Sequence, residues 1–473
     1  MADNHTELAV IGAGPGGYAA AFLAADLGMD VTLIDPEENP GGVCLYRGCI
    51  PSKTLLHAAK VIHEAGEIDE WGIHFNKPKI DIGKLRTRKA DVVAQLTGGL
   101  GQLIKQRKVN YIRAAARFLD SNTLNIEFGR GVSEKLTFKN AIIATGSRPV
   151  SLPMLDFGSS RVLDSTTALD LENVPKKLLV IGGGYIGLEL GTVYAALGSG
   201  VTVVEMTSGL LPGADRDLVR ILKKKVEKAF EAILLDTTVT GAKNQKNGIK
   251  VVLEAADGTR QNRLFDKVLT AVGRRPNSTE LGLEKTSVNV DGQGFVEVDA
   301  QQKTHDASIF AIGDVAGEPM LAHKASHEGR IAVEVIAGKN VAFEPAAIPA
   351  VVFTDPEIAW AGITETEAKA KKIKHTVSRF PWAASGRALT LGRSDGLTKM
   401  IIDPDSERIL GVGIAGVGAG EMIAEAVLSI EMAANVTDVG LSIHPHPTLS
   451  ETFKEAAEIF HGIATHVYRK RRN

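Results

Sequence analysis

The sequence predicts an α/β protein in which one supersecondary unit occurs twice and an α+β domain follows at the C-terminus. The chain has 473 residues, a length that suits about three domains. Its 49 glycines and its low aromatic content of 5% favour tight turns and close packing of helices on strands. The third observation is the repeat itself, because strand, glycine turn, helix and strand recur in the same order.

The first unit lies at the N-terminus. An apolar strand is predicted over residues 7–11, an alanine-rich helix over 18–27 and a second strand over 31–35. The turn between the first strand and the helix carries Gly12, Gly14 and Gly17, and the second strand ends at Asp35.

The second unit repeats this plan with strands over 178–181 and 201–205 and a helix over 188–197. Its turn carries Gly182, Gly184 and Gly187, and its second strand ends at Glu205. The acidic residue follows the third glycine at the same distance in both units.

A G-x-G-x-x-G turn between a strand and a helix is typical of dinucleotide binding in Rossmann-like domains. The first glycine makes the turn, the second lets pyrophosphate approach the backbone, and the third lets the helix pack on the strand. Asp35 and Glu205 are expected to accept hydrogen bonds from ribose hydroxyls. The alternative is two glycine-rich turns without a ligand, and two copies in full context disfavour it.

The second unit is predicted to prefer NAD(H) over NADP(H). Glu205 would repel a 2′-phosphate, and the residues that follow it, 206–208, supply no arginine to bind one.

The remaining segments complete three domains. Residues 71–119 are predicted to form helices joined by a loop, and 149–153 to form a linker. Strands are predicted over 136–144, 265–272, 308–312, 351–353, 375–380, 397–402 and 409–414, the last two as a hairpin. Amphipathic helices are predicted over 421–434 and 451–461.

The chain has only two cysteines, Cys44 and Cys49. Secreted disulfide frameworks have more, and two thiolates alone do not complete a zinc site, so redox chemistry is favoured. A disulfide needs Cα atoms about 4.4–6.8 Å apart, so the segment must coil, which Gly48 allows. The alternatives are two structural thiols or a chance pair; the nearby Arg47 and Lys53 favour reactive thiols.

A histidine and a carboxylate near the C-terminus are candidates for proton transfer. Thiol–disulfide exchange needs a thiolate, and His446 has a suitable side chain to take and return the proton. Glu451 could orient the ring and stabilise its charged form. The alternative is that His446 only caps a turn. His444 is expected to be structural.

Charge and hydropathy exclude two classes of partner. The formal net charge is −2, which makes nucleic acid an unexpected partner. No apolar run is long enough to span a bilayer, and the first residues do not form a signal sequence. A cytoplasmic protein, or a matrix protein with its presequence removed, is expected.

Several segments together resemble the pyridine nucleotide–disulfide oxidoreductases. They are the two glycine turns and residues 41–53, 144–146, 312–314, 380–387 and 444–451. The resemblance runs from about residue 8 to residue 463. It implies two Rossmann-like dinucleotide-binding domains plus a C-terminal α+β dimerisation domain. The implied boundaries are 1–150 for the FAD-binding domain, 151–275 for the NAD-binding domain, 276–347 for a central domain completing the FAD-binding fold, and 348–473 for the interface domain.

The resemblance also implies roles for individual residues. Cys49 would lie over a tightly but non-covalently bound FAD, and Cys44 would attack the disulfide substrate. Lys53 and Glu189 would pair near the flavin ring, and Tyr185 would cover the nicotinamide pocket. The other implied cofactor contacts are those of Thr145, Gly146 and Gly273 and of Asp314, which would bind the ribitol chain.

Within the family, the chain most resembles the members that oxidise dihydrolipoamide with NAD. This implies a homodimer with His446 in the partner subunit's active site. It also implies a partner that carries the lipoyl domain, either a 2-oxoacid dehydrogenase acyltransferase or a glycine cleavage carrier protein. The alternatives are another FAD-dependent disulfide reductase of the family, or a non-catalytic structural subunit of a complex.

Two features depart from the family pattern. Relatives commonly carry an Asn and an aliphatic or basic residue where this chain has Tyr46 and Arg47, and we hypothesise that Arg47 lowers a thiol pKa or shifts the disulfide potential. The basic tail at 469–472 is expected to be a solvated terminus, the alternative being a segment that steers an acidic partner.

Overall fold

The computed structural model describes residues 4–129 and 131–468, so the basic tail at 469–472 lies outside the described residues. The helices are α1 Pro15–Asp26, α2 Gly42–Arg47, α3 Cys49–Glu67, α4 Ile82–Gln106, α5 Tyr185–Ala196, α6 Arg216–Ala229, α7 Ala322–Ile336, α8 Glu365–Ala370, α9 Gly386–Thr390, α10 Ala419–Glu431, α11 Val436–Leu441 and α12 Glu451–His461.

The strands form four larger sheets and one small crossing ribbon. They are β1 His5–Ile11, β2 Val31–Ile34, β3 Asn110–Ile112, β4 Ala115–Asp120, β5 Thr123–Gly129, β6 Val132–Ile143, β7 Ser147–Pro149, β8 Val162–Leu163, β9 Lys177–Ile181, β10 Gly200–Val204, β11 Ala232–Leu234, β12 Thr237–Gln245, β13 Gly248–Ala255, β14 Arg260–Phe265, β15 Lys267–Thr270, β16 Arg274–Pro276, β17 Ile309–Ala311, β18 Ala350–Val352, β19 Glu357–Gly362, β20 Thr376–Pro381, β21 Leu397–Ile402 and β22 Ile409–Gly416.

The first sheet is built around β1. Its order is β3-β2-β1-β6-β5-β4, with β17 also paired to β6. The strands β2, β1, β6 and β17 are parallel, whereas β4 and β5 add an antiparallel edge. Residues Leu8 to Ile11 are buried, as expected of a central strand covered on both faces. The alanine-rich α1 packs closely on α7, because Gly16 and Gly329 bring the two backbones together.

The second unit forms a parallel sheet of order β11-β10-β9-β15-β8 with the antiparallel sheet β12-β13-β14 beside it. The amphipathic α6 buries Leu218, Leu222 and Val226 in the core of this unit. The segments that lead into and out of this unit contact each other, since β7 and β16 pair as an antiparallel ribbon.

The C-terminal domain is an antiparallel sheet of order β18-β19-β22-β21-β20 covered by helices α10 and α12. The predicted hairpin of residues 397–402 and 409–414 is confirmed as β21 and β22, and the predicted helix over 451–461 is confirmed as α12. Trp382 is fully buried in the core of this domain, and its indole N–H donates to Thr398 Oγ1 at 2.9 Å.

The prediction of helices joined by a loop over residues 71–119 was wrong in its last quarter. Helix α4 ends at Gln106, and the strands β3 and β4 occupy most of the segment between that helix and Asp120. β3 adds to the edge of the first sheet beside β2, and β4 pairs with β5. These pairings are long-range or depend on the next hairpin, so the local pattern did not reveal them. In the part of the chain that the structure describes, no helix is both long and apolar enough to cross a membrane.

Candidate active site

A cavity of about 770 Å³ opens at the carboxyl ends of β1, β2 and β6. This edge of a parallel sheet is where ligands of such folds bind. Eleven of the predicted site residues line it, namely Gly12, Gly14, Asp35, Cys44, Cys49, Lys53, Thr145, Gly146, Tyr185, Glu189 and Asp314. They come from both glycine-turn units and from the segment after them, so the fold brings together residues that are far apart in sequence.

The first glycine turn is shaped to leave room for a ligand at one position only. A Cβ on Gly12 would lie 2.4 Å from the Ala144 carbonyl oxygen, and one on Gly17 would lie 1.9 Å from the Gly12 carbonyl oxygen. Packing within the chain therefore requires the first and third glycines. A Cβ on Gly14 would lie 4.0 Å from its nearest neighbour, so this glycine faces open space where an anion could reach the start of α1.

The second turn has the same construction. A Cβ on Gly182 would lie 2.4 Å from the Ala271 carbonyl oxygen, and one on Gly187 would lie 2.1 Å from the Gly182 carbonyl oxygen. Nothing lies within 4 Å of the corresponding position on Gly184. Both turns therefore fit a dinucleotide pyrophosphate. The three glycines of this turn do not line the large cavity, so the second unit offers a separate binding surface.

The two acidic residues are held at equivalent places. Asp35 Oδ2 accepts from the Ala13 N–H at 2.7 Å, and Glu205 Oε2 accepts from the Gly183 N–H at 2.7 Å. Burial raises the pKa of Asp35, although the Ala13 N–H opposes the rise. Each carboxylate thus lies beside its glycine turn, where the ribose of a bound nucleotide is expected.

The cysteine segment coils as predicted. Cys44 lies in α2 and Cys49 begins α3, with Gly48 between them as the residue that separates the two helices. A Cβ on Gly48 would lie 2.9 Å from the Val43 carbonyl oxygen, so the tight corner requires glycine. Both cysteines are free thiols in the structure, and both face the cavity.

The surroundings of the two thiols differentiate them. The hydrogen bond from the Cys44 thiol and the Lys53 ammonium together lower the pKa of Cys49 to about 7, against the effect of burial. The same contact and burial raise the pKa of Cys44. Cys49 is therefore the thiol of the pair that loses its proton more readily, as a good leaving group requires.

Lys53 is fixed at a junction of three parts of the chain. Its ammonium contacts Glu189 Oε2 at 2.7 Å and lies 4.6 Å from the centre of the Phe353 ring. Glu189 also accepts from Ser52 Oγ at 3.2 Å and from the Phe353 N–H at 2.9 Å. The sequence showed no sign of Phe353 in this role, because it lies far along the chain in the C-terminal domain.

Asp314 is held by a network that the sequence did not reveal. The carboxylate accepts from the Ser147 hydroxyl, which in turn accepts from Arg274 Nε at 2.7 Å. Thr145 Oγ1 donates to the Asn277 carbonyl oxygen at 2.7 Å. These contacts join the segments of β7 and β16, which lead into and out of the second unit. The sequence indicated only that Arg274 follows that unit directly.

The remaining cofactor candidates lie around the second unit. Tyr185 is the first residue of α5, lines the cavity, and has 42% of its surface exposed. Gly273 lies between β15 and β16 and accepts from the Val150 N–H at 3.1 Å, outside the cavity.

Arg47 lines the same cavity as the thiols but is paired with another group. It forms an ion pair with Glu37 and lies beside the Tyr46 ring. The Tyr46 hydroxyl donates to the Asn39 carbonyl oxygen at 2.9 Å. Both unusual residues therefore stabilise the loop after β2, and the cation that acts on the thiol pair is Lys53.

We therefore expect an Arg47→Val substitution to leave the pKa of Cys49 unchanged, contrary to the hypothesis made from the sequence. Lys53→Met is the matched comparison and is expected to raise that pKa toward its ordinary value, because a nearby positive charge is lost. The pH dependence of thiolate absorbance in the reduced protein measures both. If Arg47→Val raised the pKa of Cys49 as much as Lys53→Met does, the hypothesis that Arg47 lowers a thiol pKa would be restored.

His446 and Glu451 form a contact at the start of α12. His446 Nδ1 lies 2.9 Å from Glu451 Oε1, and Glu451 Oε2 accepts from the Thr448 N–H at 2.8 Å. Burial opposes the change, but this N–H and the histidine ring lower the pKa of Glu451. The His446 side chain is 74% exposed and does not line the cavity, so within one chain the pair and the thiols lie apart.

Two models of one protein family together match nearly the whole chain. Residues 6–329 match the model "Pyridine nucleotide-disulphide oxidoreductase", and residues 348–457 match the dimerisation domain of the same family. Curated relatives extend the match. The chain is 48% identical over 459 residues to the dihydrolipoyl dehydrogenase of Vibrio cholerae, covering 97% of this chain and 96% of the relative. It is 46% identical to that of Geobacillus stearothermophilus, covering 98% of each.

Solved structures agree with these matches. LpdA from Mycobacterium tuberculosis superposes with a TM-score of 0.89 at 25% identity, covering 96% of this chain and 99% of LpdA. The Cu(II) complex of RclA, an HOCl-induced flavoprotein disulfide reductase from Escherichia coli, superposes with a TM-score of 0.86 at 26% identity, with the same coverage. The cavity, the thiol pair and these matches lead to one conclusion: the chain belongs to the pyridine nucleotide-disulphide oxidoreductase family.

Proposed function

We propose that the chain acts as a dihydrolipoyl dehydrogenase, oxidising protein-bound dihydrolipoamide with NAD⁺. The observation that carries the proposal is the thiol pair in the cavity, with Cys49 favoured as the thiolate beside Lys53. A disulfide between Cys44 and Cys49 can accept two electrons from a dithiol, which is the chemistry that the relatives' name describes. The second glycine unit, with Glu205, supplies the site for NAD⁺.

The cavity fits the FAD that this family uses. The first glycine turn would hold the pyrophosphate, Asp35 the ribose and Asp314 the ribitol chain, with Thr145 and Gly146 against the cofactor. When bound, FAD supplies a two-electron carrier between the thiols and the nicotinamide. Within this account, residues 1–150 and 276–347 form the FAD-binding fold, 151–275 the NAD-binding domain and 348–473 the interface domain.

The thiol exchange follows from the different environments of the two cysteines. A substrate thiolate attacks Cys44 Sγ, the bond between the two cysteine sulfurs breaks, and Cys49 leaves as the thiolate. The second substrate thiolate then displaces Cys44, so the substrate becomes a cyclic disulfide and the cysteine pair gains two electrons. Overall, dihydrolipoamide and NAD⁺ give lipoamide, NADH and one proton.

We assign the removal and return of the substrate thiol's proton to His446 of the partner subunit. In one chain the His446–Glu451 pair is formed but exposed, and the C-terminal segment matches a dimerisation domain. A homodimer in which each chain donates this pair to the other would bring base and thiols together. Glu451 would orient the ring and stabilise its charged form.

The substrate is expected to arrive on another chain, as the lipoyl domain of a 2-oxoacid dehydrogenase acyltransferase or of a glycine cleavage carrier protein. These carriers present the same lipoyl group, so one enzyme can serve several complexes. The proposed setting is the cytoplasm.

The nucleotide preference follows from Glu205. We expect catalytic efficiency with NAD⁺ to exceed that with NADP⁺ by about 100-fold or more, since placing like charges together costs several kcal/mol. Glu205→Ala should lower the ratio of the catalytic efficiency with NAD⁺ to that with NADP⁺. Glu254→Ala, which removes a half-buried carboxylate paired with Arg260 in the same unit, should leave this ratio unchanged. Steady-state kinetics with both nucleotides measure this, and a native preference for NADP⁺ would overturn the assignment.

The function itself is tested by mixing the FAD-loaded protein with dihydrolipoamide and NAD⁺ and following NADH. Turnover is expected with dihydrolipoamide and not with reduced glutathione. Reversed substrate preference would favour another disulfide reductase of the family. A protein that binds no FAD and turns over neither substrate would favour a structural subunit.

A further inference from the structure

The loop that carries His446 is exposed along most of its length. We define the histidine loop as residues 442–447. Every residue of it except His444 is exposed, as is Leu441 before it, and Ile443 exposes 97% of its surface. Within one chain, such a loop keeps a defined shape only through the few contacts that fix it, and these set how it meets the partner subunit.

His444 is the exception, because only 6% of its side-chain surface is exposed. Its Nε2 lies 2.7 Å from Glu425 Oε1 on α10, and its Nδ1 lies 2.9 Å from the Ser442 carbonyl oxygen. Among the described residues, the contact with Glu425 is the one side-chain hydrogen bond that joins the histidine loop to a distant element; the loop's other bonds are local.

The same loop must present His446 at a defined place. His446 is hydrogen-bonded to Glu451 at the start of α12, a different element from the α10 that His444 contacts. The chain is therefore held at two points around the loop. His444 contacts Glu425 of α10, and His446 and Thr448 contact Glu451 of α12. Releasing the first point leaves the His446–Glu451 contact intact but allows the backbone that carries it to shift.

We propose that His444 is a positioning residue that, through Glu425, holds the histidine loop so that His446 reaches the partner subunit's thiol pair. The inference rests on the proposed function, because it assumes that His446 manages the proton in dihydrolipoamide oxidation. His444 itself does not touch the substrate. A displacement of about 1 Å in a catalytic group can reduce a rate by about 100-fold.

The test separates the two halves of the reaction. Reduction of the protein by dihydrolipoamide needs His446, whereas reduction by NADH followed by transfer to an artificial acceptor does not. We expect His444→Ala to slow the first by about 10–100-fold and to leave the second unchanged. His444→Gln, whose amide can still donate to Glu425, should recover part of the rate.

Glu425→Ala should have the same effect as His444→Ala, and the double variant should be no slower than either single variant, because both remove one contact. Glu425 is partly exposed, so its substitution also tests the contact if His444→Ala does not fold. The matched control is His461→Ala, which removes another histidine–carboxylate contact, with Glu407, in the same domain. It should react like the native protein.

Three outcomes would overturn the inference. His444→Ala could keep the native rate with dihydrolipoamide, both halves of the reaction could fall together, or the double variant could show additive losses. If instead the native protein does not oxidise dihydrolipoamide at all, the proposed function fails. If His446→Gln is slow and His444→Ala and Glu425→Ala are not, only the positioning role fails.

Discussion

Replacing Cys44 by serine is expected to reduce NAD⁺-dependent oxidation of dihydrolipoamide by about 1000-fold or more, because a serine cannot form the disulfide that accepts the electrons. FAD content should not change, since the glycine turn and Asp314 do not depend on this sulfur. The steady-state rate and the flavin absorbance of the purified variant measure the two effects.

Cys49→Ser is the matched comparison, and it should lose as much activity as Cys44→Ser. The double variant should lose no more, because the two sulfurs act as one unit. In Cys44→Ser the pKa of Cys49 should rise, because the hydrogen bond from the Cys44 thiol is the largest cause that lowers it. A variant of either cysteine that keeps a tenth of native activity would contradict the assignment of the pair.

His446→Gln is expected to lower the same rate by about 100- to 10,000-fold, the usual range for loss of a general acid–base group. Electron transfer from NADH to an artificial acceptor should remain, because it does not use this histidine. His461, whose contact is with Glu407 in the same domain, offers a comparison at a position outside the proposed proton transfer. Equal losses in both activities would show that His446 supports the fold and not the proton step.

A mixed dimer gives the sharpest form of this prediction. One chain carries Cys44→Ser and the other carries His446→Gln, so neither chain alone has a complete set of residues. If His446 acts in the partner subunit, one of the two sites regains native residues, and about half of the native activity should return. An inactive mixed dimer would place the histidine in the same chain as the thiols it serves.

Much of the fold was predictable because its signals are local. In each turn the third glycine packs on the first, and the acidic residue that follows the next strand accepts a hydrogen bond from the turn, so spacing alone indicated both units. The hairpin of β21 and β22 and the helix α12 likewise follow from short-range patterns. In contrast, β3 and β4 depend on partners outside their own segment, and the sequence predicted helix there.

The site was predictable in its residue types but not in its contacts. The thiol pair, Lys53 and Glu189 were expected together, and the structure places them around one cavity. Phe353 and Arg274 were missed, because they reach the site from distant segments. The ion pair of Arg47 with Glu37 was missed as well, because chain order places Arg47 between the two cysteines and does not reveal its partner.

The most direct test counts thiols during a single turnover. The oxidised, FAD-loaded protein is mixed with dihydrolipoamide without NAD⁺, alkylated and analysed by peptide mass; a second sample receives NAD⁺ before alkylation. We predict that Cys44 and Cys49 both become alkylated in the first sample, and that NAD⁺ restores their disulfide while one NADH forms for each pair. Formation of NADH with the disulfide unchanged throughout would show that electrons bypass the two cysteines and would contradict the account.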